Sequence, residues 1–143
     1  MKKILFLFLI ALSVISCQGP VGPEGPQGYG TNWKIINIVA NSSDWVENVD
    51  PAGLNRYYSA HFSMPEINST VFNDGTILSY IMINNSTQQN LPYVRHFQNA
   101  AGAFWTQTID YDYSVGGLNV YVTNSDFVSD PPSTMNFRVV LMW

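Results

Sequence analysis

The sequence predicts an all-β fold, a seven- to eight-stranded antiparallel β-sandwich occupying residues 31–143. Three observations predict it. Short apolar runs with period-two alternation recur every 8–12 residues or so. Gly, Pro, Asn and Asp clusters punctuate them, and almost no helical periodicity appears. Aromatic residues make up 14% of the 143-residue chain and charged residues only 11%, against about 25% in ordinary soluble domains. A small closed barrel is the second architecture this pattern fits.

Each element follows from local sequence. Trp33 to Ala40 is rich in β-branched residues and ends at Asn41-Ser42-Ser43-Asp44. Asp44-Trp45-Val46-Glu47 is a short strand candidate, and Asp50-Pro51-Ala52-Gly53 a turn. Asn55 to Ser63 alternates, with Arg56, Tyr58, Ala60 and Phe62 on one face; Pro65 stops it. Ile67 to Asn73 suits one helical turn or a loop. Thr76 to Asn84 is apolar on both faces, which predicts a central strand.

Asn84 to Gln89 is expected as a polar loop. Leu91–Gln98 and Ala103–Tyr113 form a hairpin about Asn99-Ala100-Ala101-Gly102, which sets His96 opposite Trp105. Val115-Gly116-Gly117 turns the chain into Leu118–Thr123, where Leu118, Val120 and Val122 share a face. Asn124 to Ser133, containing Pro131-Pro132, is a loop. Phe137, Val139 and Leu141 give the last strand its inward face.

The first 30 residues are different in kind. Lys2 and Lys3 precede twelve nearly unbroken apolar positions, Ile4 to Ile15. As a helix these span only about 18 Å, against a hydrocarbon core of about 30 Å. A secretory signal over residues 1–16 is the expected reading. Then come Gly19-Pro20-Val21, Gly22-Pro23-Glu24, Gly25-Pro26-Gln27 and Gly28. Glycine at every third place with proline after it is the collagen pattern. Three triplets suit a lone polyproline II spacer of about 30 Å, with a monomeric chain; a trimer through the Gly-Pro-x run is the alternative.

Val14-Ile15-Ser16-Cys17 resembles the bacterial lipobox. The resemblance implies that Cys17 receives diacylglycerol on its thiol, that the leader is cut before it, and that the new amine is acylated. Cys17 is the only cysteine, so no disulfide within the chain competes for it. Together with the Gly-Pro triplets and the closing Phe137-Arg138-Val139-Val140-Leu141, the whole chain resembles the collagen-like-repeat lipoproteins of Gram-negative bacteria, a family without a settled activity. Gln18, not Asp, implies the outer membrane; its periplasmic and surface faces stay open. The expected organisation is a leader over 1–16, lipidated Cys17 and tether through residue 30, and the sandwich over 31–143.

Composition excludes other partners. The net charge is −4, and without Lys2 and Lys3, two fewer cations, it falls to about −6. The remaining cations are Lys34, Arg56, Arg95 and Arg138, singly placed. No basic patch exists to neutralise phosphates, so nucleic acid is not expected as a partner.

Candidate chemistry is sparse. Asp110 and Asp112 share a strand face, and His96 lies in the preceding strand. The trio could hold a metal or merely form a solvated edge, and no metal or other cofactor is expected. No Gly-x-Ser-x-Gly elbow occurs. His61 and His96 are the only imidazoles, and no triad spacing is legible. Glu47, Glu66, Asp110 and Asp112 offer no specific glycosidase pair. Asn-x-Ser/Thr triplets begin at Asn41, Asn68, Asn84 and Asn85 and suit turns. For ligand binding the candidates are Trp45, Trp105, Tyr111 and Tyr113, since rings on an exposed sheet face can stack on sugars; Trp45 and Trp143 are the rings expected outside the core. The leading expectation is a non-enzymatic module with a protein or other partner, followed by a glycan-binding module, then a hydrolase.

Overall fold

The computed structural model describes residues 30–143. The expected leader, Cys17 and the Gly-Pro stretch through Tyr29 lie outside the described residues. Thr31–Trp143 is a compact unit.

Nine strands and one short helix make up this unit. In chain order they are β1 (Trp33–Ala40), β2 (Val46–Val49), β3 (Arg56–Met64), α1 (Ser69–Asp74), β4 (Thr76–Asn84), β5 (Thr87–Asn90), β6 (Tyr93–Gln98), β7 (Phe104–Ser114), β8 (Gly116–Asn124) and β9 (Met135–Met142). A four-stranded sheet runs β1-β9-β4-β5 and a five-stranded sheet runs β2-β3-β8-β7-β6. All pairings are antiparallel. The two sheets share one core in a sandwich-like arrangement.

Alternation decides the inside. Phe137, Val139 and Leu141 of β9 and Leu118, Val120 and Val122 of β8 are all buried, as the pattern of each strand requires. Tyr58, Ala60 and Met64 join them from β3, and Ile77 and Ile81 from β4. The Tyr111 hydroxyl donates to the Ile77 carbonyl across the sheets at 2.9 Å. A short helix, α1, follows β3. The Asn68 side chain caps it by accepting from the Val71 N–H at 3.0 Å.

Two expectations are corrected. Thr87–Asn90, of which residues 87–89 are expected within a polar loop, is β5, a fully exposed edge strand. It exists because β4 presents an edge that these residues can pair, with Ile81 opposite Gln89. The β6–β7 hairpin also closes one residue later than expected. Gln98 faces Phe104, Asn99 accepts on its side chain from Ala101 and Ala103 N–H groups, and Gly102 takes a φ of 85° that favours glycine. His96 therefore faces Thr106, and Phe97 faces Trp105. A slip of one residue moves every side chain to the opposite face.

Among the described residues one buried side-chain polar atom is unmatched. The Ser79 hydroxyl lies at zero exposure between Ile77 and Ile81 without a hydrogen-bond partner. Such a group costs about 1–3 kcal/mol. Ser79→Ala is expected to raise unfolding stability by about 1 kcal/mol, read from urea unfolding midpoints at unchanged slope.

Candidate functional site

The strongest concave feature with converging chemistry lies at the corner where the hairpin end of β6 and β7 meets the loop before β9. Inward-facing Arg95 and Phe97 of β6 pair with Gln107 and Trp105 of β7. The Phe97 and Trp105 rings stack at 5.3 Å and 15°. The Arg95 guanidinium sits 5.1 Å from the Phe97 centroid, a cation–π contact. Arg95 also donates from Nε and Nη2 to Gln107 Oε1, at 2.9 and 2.6 Å. Gln107 in turn donates to Asn124 Oδ1 at 2.9 Å. This polar row crosses three strands at positions where alternation calls for apolar side chains, and both Gln107 and Asn124 are buried.

Asp130, Pro131, Pro132, Ser133 and Met135 form the opposite wall of a cleft of about 280 Å³. A second cleft of about 220 Å³ shares Arg95, Ser133 and Met135 with it and extends along Ile81, Met82 and Ile83. The wall is held in place by several bonds. Ser125 N–H donates to the Thr106 carbonyl at 2.8 Å, and Ser125 Oγ accepts from Thr106 N–H at 2.9 Å. Phe127 takes a φ of 53°, an uncommon conformation for so bulky a residue. Trp45 Nε1 donates to the Ser133 carbonyl at 3.2 Å. Glu47 Oε1 accepts from Ser129 Oγ at 2.7 Å and from the Tyr58 hydroxyl at 2.9 Å, and it meets Arg56 Nη1 at 2.7 Å.

The expected aromatic candidates divide accordingly. Trp105 lines the cleft, half-buried. Trp45 is buried at 8% exposure; it offers no face to a ligand, because its indole packs in the core and its N–H fixes the cleft loop. Tyr111 points inward and bridges the sheets. Tyr113 sits at the rim, edge-on to Phe72 at 5.9 Å and stacked near Tyr111 at 6.4 Å. Tyr111 and Tyr113 thus share the inward side of β7 with Trp105 and do not form an outward row. Trp143 is 37% exposed, and its backbone exchanges two hydrogen bonds with Asn32. Arg95, Phe97, Gln107 and Asp130 were not anticipated. Arg95 and Gln107 at inward positions of alternating strands were the available signal.

The outer face of the five-stranded sheet carries a polar chain. Tyr121 OH and Asn119 Nδ2 donate to the two Asp112 oxygens at 2.8 and 2.7 Å. Asn119 Oδ1, so oriented, accepts from His61 Nδ1 at 2.8 Å. The His61 ring lies on Gly117, where an added Cβ would come within 2.8 Å of it. Burial, then the Asp112 carboxylate, push the Tyr121 hydroxyl up to about 12. Burial first, and Asp112 second, raise the Asp110 carboxyl. His96 shares this side of the sheet, but Thr106, opposite it, lies four residues from Asp110, roughly 13 Å along the strand. Among the described residues no three His, Cys, Asp or Glu side chains are grouped to hold a metal ion.

Chemically, the cleft combines a cation, an acceptor and an apolar wall. Arg95 still has further N–H donors beyond those given to Gln107. Asp130 supplies an acceptor and the Phe97–Trp105 stack an apolar wall. Comparison with protein-family models, curated proteins and solved structures finds no match.

The cleft wall should respond to acid. Hydrogen bonds from Ser129, then Arg56 and Tyr58, hold the Glu47 carboxyl at about 2 against its usual 4.5. A lowered folded-state value makes the contribution complete above pH 4.5 and lost as pH falls toward 2. The group is exposed, so the effect is small and weakened by salt. Glu47→Gln is expected to lower the thermal midpoint at pH 7 and to flatten its decline between pH 4.5 and 2 relative to the parent chain.

Proposed function

We propose that this chain is a lipid-anchored outer-membrane protein that displays a non-enzymatic binding module on a Gly/Pro tether. The observation that carries the reading is Val14-Ile15-Ser16-Cys17 at the end of a short apolar run. A thiolate is the strongest side-chain nucleophile near neutral pH. Several acyl chains on one residue give lasting attachment where a single chain binds marginally. Gln18 supports the outer membrane, and residues 18–30 supply the spacer.

A second reading refines the module. The corner cleft supports glycan binding, because a stacked aromatic wall suits the apolar face of a sugar and Arg95 and Asp130 suit its hydroxyls. Its volume lies near the lower end of the usual range for small-ligand sites, about 300 Å³, which suits one terminal sugar unit of a larger glycan.

Cys17→Ala is expected to release the protein from the membrane fraction; a variant still partitioning with membranes contradicts the anchor. On a glycan array, residues 31–143 are expected to bind a defined set of saccharides, and Trp105→Ala to weaken that binding about tenfold, or ~1.4 kcal/mol. Binding to no saccharide discards the glycan reading and leaves a protein partner.

A further inference from the structure

We infer that β1 is the interface between two copies of this chain, joined edge to edge so that their four-stranded sheets run on as one. β1 is an outer strand of its sheet, with β9 on one side only. Asn32 and Trp143 exchange backbone hydrogen bonds at 2.8 and 3.0 Å. Alternation from that pair aims the backbone groups of Lys34, Ile36, Ile38 and Ala40 at β9. The N–H and C=O groups of Trp33, Ile35, Asn37 and Val39 therefore point away from the sheet, and no described residue bonds them. Their side chains take the outward face. Trp33, Ile35 and Val39 are 66%, 45% and 47% exposed.

The other sheet edges are guarded and this one is not. β2 and β5 are only four residues long. β5 also meets β4 in an irregular register, and β6 carries Arg95 and His96. Short strands, irregularities and charges are the usual devices against edge pairing. β1 instead runs eight residues in unbroken register with β9 and contains neither proline nor an acidic residue. Its one charge, Lys34, is bound to Glu66 of its own copy at 2.9 Å. A long, flat, apolar edge of this kind is a template for another strand.

The spacing of the free groups selects the occupant. Two antiparallel copies of β1, related by a twofold axis at Ile36, set Trp33 against Val39 and Ile35 against Asn37. Each of these is a mutually hydrogen-bonded pair, so every free N–H and C=O named above is used. Sliding one copy by two residues leaves a pair unmade, which specifies the register. Opposed residues share a face, so both copies keep the same face outward. On the inner side Ile36 meets the second copy's Ile36, where Ile36 and Ile38 are only partly buried against the core. Lys34 lies opposite Ile38, so no like charges are opposed. A foreign strand would satisfy one edge only. A second copy presents the same unbonded groups and the same apolar residues, and one contact covers both.

The test uses the chain from residue 17 with Cys17→Ser, so that neither an acyl chain nor a disulfide at that residue drives association. An eight-residue strand pair is small beside interfaces of about 1,200 Å². Sedimentation equilibrium is therefore expected to give two chain masses at roughly 0.1 mM and to fall toward one on dilution. Ile35→Pro removes an N–H that β9 does not use and is expected to give one chain mass with unchanged circular dichroism. Ile35→Lys sets two ammonium groups on diagonal sites roughly 7–8 Å apart across the axis. It is expected to do the same and covers the case in which Ile35→Pro misfolds. Ile36→Cys faces itself with Cα atoms about 4.5 Å apart and is expected to crosslink the dimer under mild oxidation. Lys34→Cys, offset from its copy by four residues, roughly 13 Å, is not. A parent chain of one mass at that concentration, or of three or more, overturns the proposal. So does a dimer indifferent to folded Ile35 variants, or one crosslinked through Lys34→Cys and not through Ile36→Cys. A monomer with slow amide exchange at Trp33, Ile35, Asn37 and Val39 has its edge covered within the chain and overturns it too.

Discussion

Leu118, Val120 and Val122 in one sheet, and Phe137, Val139 and Leu141 in the other, are withdrawn almost wholly from water. The rest of the domain depends on these two ladders. Each belongs to an interior strand, β8 between β3 and β7, and β9 between β1 and β4. Burying a side chain of this size contributes about 1.5–3 kcal/mol, an upper figure because unfolded chains already shield some surface. Because side chains alternate, fixing these six fixes the facing of every neighbouring strand through the pairing registers. That leaves the two outer faces, the sheet edges and the open corner for interaction.

The corner departs from the core pattern. Further along the same inward faces, Ile109 and Val122 give way to Gln107 and Asn124, and Arg95 completes the row. Buried polar groups persist when each finds a partner, and here each hands a hydrogen bond to the next. The row keeps Arg95 laid along Phe97, so the cation and the aromatic wall arrive together at the cleft. Trp45 and Glu47 serve the same cleft from the opposite side, since both bind the loop carrying Asp130 to Ser133. Residues far apart in sequence thus meet through one loop.

Much of the strand pattern was legible because it rests on composition and period two. Leu118-x-Val120-x-Val122 and Phe137-x-Val139-x-Leu141 announce their facing without a structure. What was not legible has physical reasons. Thr87-Gln88-Gln89-Asn90 has no apolar residue, and it is a strand only because β4 offers it a partner. The hairpin at Asn99 resembled a four-residue turn, whereas Asn99 organises a five-residue loop by capping Ala101 and Ala103, and the register shifts by one. Trp45 stands beside a loop in sequence yet is drawn into the core by its indole area and the Ser133 carbonyl. Nothing local in Arg95 or Asp130 reveals that the fold sets them on facing walls.

In the proposed reading, placement of the chain rests on one thiol at residue 17, through which the spacer and the corner cleft would be held at a membrane. Intact mass spectrometry of the protein extracted from membranes examines that thiol directly. The expected result is a polypeptide beginning at Cys17 that carries a diacylglyceryl group and an amide-linked acyl chain. A polypeptide that retains residues 1–16, or one whose Cys17 sulfur is unmodified, would contradict it.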